Sequence, residues 1–118
     1  MKYLCLVYGE ESVVQGLSPQ DSRALTHDSL EYNKKLERAG HLILAQALEP
    51  VKTAKTVRVR KKKVRLSDGP FAETKEQLLG FVYIEARDHE QALELAANIP
   101  LAELGSIEVR AIMDLNAD

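Results

Sequence analysis

With 118 residues, 45% of them hydrophobic and 29% charged, the chain has the length of one domain with a modest core and no room for a second. No apolar run approaches the roughly 18 residues that a membrane span needs, and Met1-Lys2 leads straight into YLCLVY without a cleavage signal, so the expected location is the cytoplasm. A single cysteine, Cys5, excludes an intrachain disulfide and a cysteine metal cluster, and the net charge of −2 does not by itself point to nucleic acid.

Residues 2 to 8, KYLCLVY, are rich in β-formers and almost wholly apolar, the pattern of a central strand covered on both faces. Cys5, in its middle, reads as a small buried hydrophobe. Gly9 to Gly16, with two glycines and two glutamates, reads as a connection over the mouth of a cleft. A helix is predicted from Ser18, with Ser18 as N-cap, Pro19 at N1 and Asp21 in the first turn. Its apolar face runs through Leu25, Tyr32, Leu36 and Ala39, and Gly40 stops it.

HLILAQALE, residues 41 to 49, is the second strand, ended by Pro50. A hairpin follows. TVRVR and KVRL alternate valine or leucine with arginine or lysine, and Lys61-Lys62 falls in the tight turn, although neither is a favoured turn residue. Eight basic residues and no acidic one lie between Lys52 and Arg65, while the other eight basic residues face all eighteen acidic ones, a balance of −10. A hairpin with one basic and one apolar face accounts for the cluster, and alternating cations also discourage edge-to-edge aggregation. A basic ribbon that enters a nucleic-acid groove is the less favoured alternative.

Asp68-Gly69-Pro70 then reverses the chain: aspartate accepts from backbone amides two residues on, glycine tolerates positive φ and proline fixes the exit. Phe71 is expected to pack against the sheet as a plug. A polar segment with room for a helical turn leads to Gly80 and the strand FVYIEA. Asp88 and Gln91 form a capping-box pair before a helix with Ala92, Leu95, Ala96 and Ile99 on one side, ended by Pro100. IEVRAIM, residues 107 to 113, is the last strand. The order β-α-β, hairpin, β-α-β fits an α+β fold with helices on one side of a largely antiparallel sheet, in the ferredoxin-like manner.

The chain resembles the YCII-related family, and within it the DGPF branch. The resemblance is carried by MKYLCLVYG at the start, by Ala39-Gly40 and the strand ended by Pro50, by TVRVR, by DGPFAETKEQLLGF at residues 68 to 81, and by EVRAIM near the end. It implies a ferredoxin-like sandwich with an additional β-hairpin, forming a dimeric α+β barrel, with a cleft close to the subunit interface. One branch of the family is associated with sigma-factor systems, and a few relatives are small-molecule enzymes using polar cleft residues. Many members carry a histidine on the first helix eleven residues before the glycine that matches Gly40; here that position is Ser29.

Five residues are singled out on this basis. Asp68 and Ser29 are the catalytic candidates, Asp68 as an acid or base if burial raises its pKa, Ser29 because it shares the helix face of Leu25, Tyr32 and Leu36. Tyr8 and Glu10, at the carboxyl end of the first strand, and Phe71 are the ligand-binding candidates. Asp68 also has a purely structural reading as a turn residue. His27 and Asp28 read as solvent-facing, His41 as support for the carbonyl end of the helix and His89 as exposed. The three histidines have no compact ligand spacing, and no phosphate-loop, dinucleotide or nucleophile-elbow motif is present, so neither a metal nor a cofactor is expected. The reading is a homodimer that binds a small polar or anionic organic molecule, with cofactor-independent acid-base chemistry as one outcome and a non-enzymatic structural or regulatory dimer as the other.

Overall fold

The most apolar stretch of the chain takes the central place its composition predicts. In the computed structural model, which describes residues 1–116, it forms β1 (Lys2–Gly9). On one side β1 is hydrogen-bonded to β5 (Gln77–Glu85) and on the other to β6 (Ser106–Ala111), and β2 (Leu42–Ala47) pairs with the far side of β5. The result is an antiparallel sheet in the order β2-β5-β1-β6. Between β1 and β2 the chain passes through α1 (Glu11–Gln15) and α2 (Pro19–Arg38), and between β5 and β6 through α3 (His89–Ala97). The sheet and helices have the arrangement of a ferredoxin-like sandwich, as the element order predicts.

The expected α+β barrel is not formed. β2 and β6 are edges at opposite margins of an open four-stranded sheet, and the two strands between β2 and β5 make a separate two-stranded sheet. The physical reason is strand supply: a closed barrel with a filled interior takes about eight strands, and this chain brings half that number to its main sheet.

The helix ends explain why these residues are helical and where they stop. Ser18 Oγ accepts the Asp21 backbone N–H at 3.0 Å, with Pro19 in the first turn. At the other end Gly40, at φ +81°, carries a paired closure: His41 N–H donates to Leu36 O at 2.8 Å and Gly40 N–H to Glu37 O at 3.0 Å. At α3, Asp88 Oδ1 accepts the Gln91 N–H at 2.9 Å, and Gln91 Oε1 accepts the Arg87 N–H at 2.7 Å, one residue earlier than in a simple capping box. Hydrogen bonding to Gln91, and then to Arg87, holds the Asp88 carboxyl below the usual carboxylate range. His41 serves the helix carbonyls only through its backbone N–H; its ring Nδ1 lies 2.8 Å from the Glu85 carbonyl oxygen, which makes Nδ1 the protonated nitrogen and ties the start of β2 to the end of β5.

The core lies on one face of the sheet. Tyr3, Cys5 and Val7 of β1 and Val82 and Ile84 of β5 point to that face and meet Leu36, Ala92, Ala96 and Ile99. Cys5 is fully buried, and burial pushes its thiol up to about 11, so at neutral pH it is a protonated apolar side chain. Tyr32 fixes α2 to α3 by donating its hydroxyl to Leu95 O at 2.6 Å. β1 was expected to be covered on both faces, yet helices cover only one. Its other side chains share the uncovered face with β5: Leu4 stands opposite Tyr83, and Leu6 opposite Phe81.

Three local features depart from the sequence pattern. Glu11–Gln15 is a short helix rather than an open connection; β5 begins at Gln77, before Gly80; and no helical turn lies between Phe71 and Gln77. The hairpin forms as predicted, from β3 (Lys55–Arg60) and β4 (Lys63–Asp68), with Lys61 and Lys62 at φ 51° and 66°. These are the dihedrals of the turn that matches strand twist, and side chains other than glycine adopt them at a cost of about 1–2 kcal/mol each. At its root, Gly69 (φ +89°) donates its N–H to Ala54 O at 2.8 Å, and Thr56 Oγ1 donates to Gly69 O at 2.9 Å. Phe71 is not the expected plug: nothing among the described residues covers it, and it is 80% exposed.

Candidate functional site

α2 touches the sheet mainly through its C-terminal half. Leu36 is its one buried residue, whereas toward the N-terminus the stripe facing the sheet passes through Asn33, Ser29, Thr26 and Leu25. The sheet beneath offers little to meet them, because β2 and β5 present Ala45, Ala47 and Gly80 on this side. Short polar residues above and small residues below leave a gap. It is a cleft of about 520 Å³, open at one side, with Val7 and Val82 in its floor, α1 and Pro50 at its mouth, and Ile99, Pro100 and Leu101 along its inner side. That volume falls in the range of small-molecule sites, and an apolar lining with a few polar groups is their usual make-up.

The mouth is held by one bond. Glu11 Oε2 accepts the Val51 N–H at 2.9 Å, which fixes α1 against the segment that follows Pro50. Gly80 is kept small by β2 itself: a Cβ there would lie 2.6 Å from Gln46 O. The absence of a side chain at Gly80 is thus required by strand pairing and at the same time opens the cleft.

The five candidates occupy different places. Ser29 lines the cleft. Asp68 ends β4 with its carboxylate 86% exposed, ion-paired with Lys55 Nζ across the hairpin. Phe71 follows at the root of the hairpin. Tyr8 stands opposite Leu78 and Ser106 on the helix-free side of the sheet, and Glu10, just before α1, pairs with Lys75 Nζ at 3.4 Å. The structure therefore brings Ser29 together with Thr26 and Asn33, not with Asp68. Thr26 and Asn33 went unnamed in the sequence reading, although polar residues three and four positions either side of Ser29 on an otherwise apolar helix face are a visible signal. Among the described residues, no three His, Cys, Asp or Glu side chains are grouped as metal donors, and no helix is long and apolar enough to cross a membrane.

A four-stranded antiparallel sheet with two crossover helices on one face and a helix–sheet cleft places the protein among the small ferredoxin-like α+β domains. Sequence comparison is more specific. A model of the YCII-related domain matches residues 1–116, and the chain belongs to that family. It is also similar to the uncharacterized protein R00369 of Rhizobium meliloti (strain 1021), at 37% identity over 114 residues that span 95% of this chain and 92% of the relative.

Proposed function

We propose that the protein binds a small organic molecule in the cleft beneath α2 and works as a homodimer. The observation that carries the first part is the 520 Å³ cleft, bounded by Ala45, Ala47 and Gly80 on one side and by Thr26, Ser29 and Asn33 on the other. Its ligand has a largely apolar body and a polar group able to exchange hydrogen bonds with a hydroxyl and an amide. Ser29 contacts that polar group, at the helix position where many relatives carry histidine. An acid-base role for Asp68 has less support, since its carboxylate is committed to Lys55 away from the cleft. The DGPF block at residues 68 to 71 supports placing the chain in that branch of the family.

The homodimer is supported by the helix-free face of the sheet. An antiparallel sheet with one solvated face alternates apolar and polar residues along its strands, but here Leu4, Leu6, Tyr8, Leu44, Phe81 and Tyr83 all point to the uncovered side. A second copy covers such a face by self-complementary packing around a two-fold axis.

Two measurements test these parts separately. Native mass spectrometry of protein purified directly from cells should show a bound small molecule, and Ala45→Phe, which fills the cleft, should release it; unchanged retention by the variant would refute the site. Sedimentation should give twice the chain mass, and Phe81→Lys should give the single chain. A wild-type protein that stays monomeric at high concentration would refute the dimer.

A further inference from the structure

Among the described residues, the β3–β4 hairpin is tied down only at its root, by the bonds around Gly69 and the Lys55–Asp68 ion pair, and its outer part stands apart from the main sheet. Its strands pair only with each other. Val57, Val59, Val64 and Leu66 share one face and are all more than half exposed, Leu66 at 71%. On the other face Arg58 stands directly opposite Arg65, and Arg60 opposite Lys63. Like charges opposite one another destabilise a strand pair, a two-residue turn of lysines at positive φ adds to the cost, and a lone two-stranded hairpin is marginal in water even without these burdens. Packing of the exposed apolar face against another surface would offset these costs.

We infer that the hairpin is an arm that lies on a second copy of the chain, its apolar face buried against that copy and its cations beside that copy's carboxylates; this rests on the homodimer proposed above. Two observations choose this occupant. The apolar face needs an apolar surface, and a second copy supplies one at the β2 margin of its helix-free face, where Leu44 is exposed beside the sheet-to-sheet contact, whereas a polyanion would engage the basic face and leave the apolar one in water. The charge distribution points the same way. The segment from Lys52 to Arg65 carries eight cations and no anion, and the rest of the chain has a balance of −10, so each copy attracts the arm of the other. The same −10 repels nucleic acid.

The arm can be located by cross-linking. The strands are six residues long, so the tip is about 20 Å from the root. Asp68, the one acidic residue of the hairpin, sits at that root. A zero-length carbodiimide link from Lys61, Lys62 or Lys63 to a carboxylate therefore has to reach beyond its own hairpin. An equimolar mixture of ¹⁴N- and ¹⁵N-labelled protein, exchanged and then cross-linked, should give linked peptides from these lysines that combine the two labels. In a parallel titration, Val59→Asp with Leu66→Asp should raise the dimer dissociation constant by about tenfold or more. Both positions are exposed in the single chain, so its circular dichroism should not change.

A sedimenting dimer whose tip lysines form only same-label links, or whose affinity is unmoved by the two aspartates, would overturn the arm and leave the homodimer standing. A protein that sediments as a monomer would remove the homodimer and the arm together. Salt-sensitive binding of a short DNA duplex by the intact dimer at physiological ionic strength would also overturn the inference, because the basic face would then be free for nucleic acid.

Discussion

Leu36→Ala and Leu25→Ala make a matched pair, since both delete the same atoms from the sheet-facing stripe of α2. Leu36 is 2% exposed and packed among Tyr3, Ile84 and their neighbours, so its truncation loses the full transfer free energy and leaves a void; about 3 kcal/mol is expected. Leu25 is half-buried and borders the cleft, where space already exists. Its truncation enlarges an open-sided gap without sealing a new void, and about 1 kcal/mol is expected. The gain from alanine's higher helix propensity is small and the same in both, so it cancels. Urea unfolding at 25 °C, at one protein concentration so that any association contributes equally, reads the two costs directly. At this chain length they correspond to losses of about 12 °C and 4 °C in Tm. Equal costs would mean that the N-terminal half of α2 packs closed on the sheet and that the cleft is absent in solution.

Gly105→Ala should be among the most damaging single substitutions, because a Cβ there would lie 2.0 Å from Tyr8 O where β6 starts against β1; about 3 kcal/mol or more should appear in the same urea assay, and a cost below about 1 kcal/mol would show that the strands do not meet so closely. Lys61→Asn with Lys62→Gly relieves the two positive-φ side chains and should slow hydrogen exchange of the hairpin amides while leaving those of β1 and β5 unchanged; faster exchange would argue against the turn geometry. Asp88→Ala removes the N-cap of α3. The Asp88 pKa is lower folded than unfolded, so its contribution is fully present above the unfolded pKa and disappears as pH falls through the folded one. The Tm gap between wild type and Asp88→Ala should therefore be constant near neutrality and close below about pH 4, and a gap that persisted in acid would refute the carboxylate's role.

Capping and turn chemistry made much of the scaffold readable. Ser18-Pro19, Gly40, Asp88 with Gln91, and the alternation of valine with arginine each act over a few residues, and each sits where its local physics requires. Glu11–Gln15 escaped notice because five residues are too short for a helical period to show. The cleft was hidden for a different reason: it depends on Ala45, Ala47 and Gly80 meeting across two strands and facing Ser29, and no window of the sequence contains that meeting. Asp68 was expected to accept from the backbone two residues on, but its carboxylate pairs with Lys55 instead; nothing local indicates which surface the DGPF segment faces, and Asp68 and Phe71 lie outside the cleft that Ser29 lines. The barrel expectation came from resemblance, and the main sheet, open at β2 and β6, overturns it.

The chain leaves the main sheet after β2 and returns to it at β5, and the two points lie side by side where Leu48 N–H donates to Leu79 O at 2.8 Å. Most of the stretch between them, the hairpin and the DGPF segment included, is an excursion from the main sheet whose departure and return points are already side by side. Because the free energy of closing a loop grows only with the logarithm of its length, such a detour can be lengthened, shortened or redecorated with little effect on the sheet that anchors it. The scaffold is thereby shielded from change in the very segment where the chain carries its densest charge, and the two parts are free to diverge at different rates.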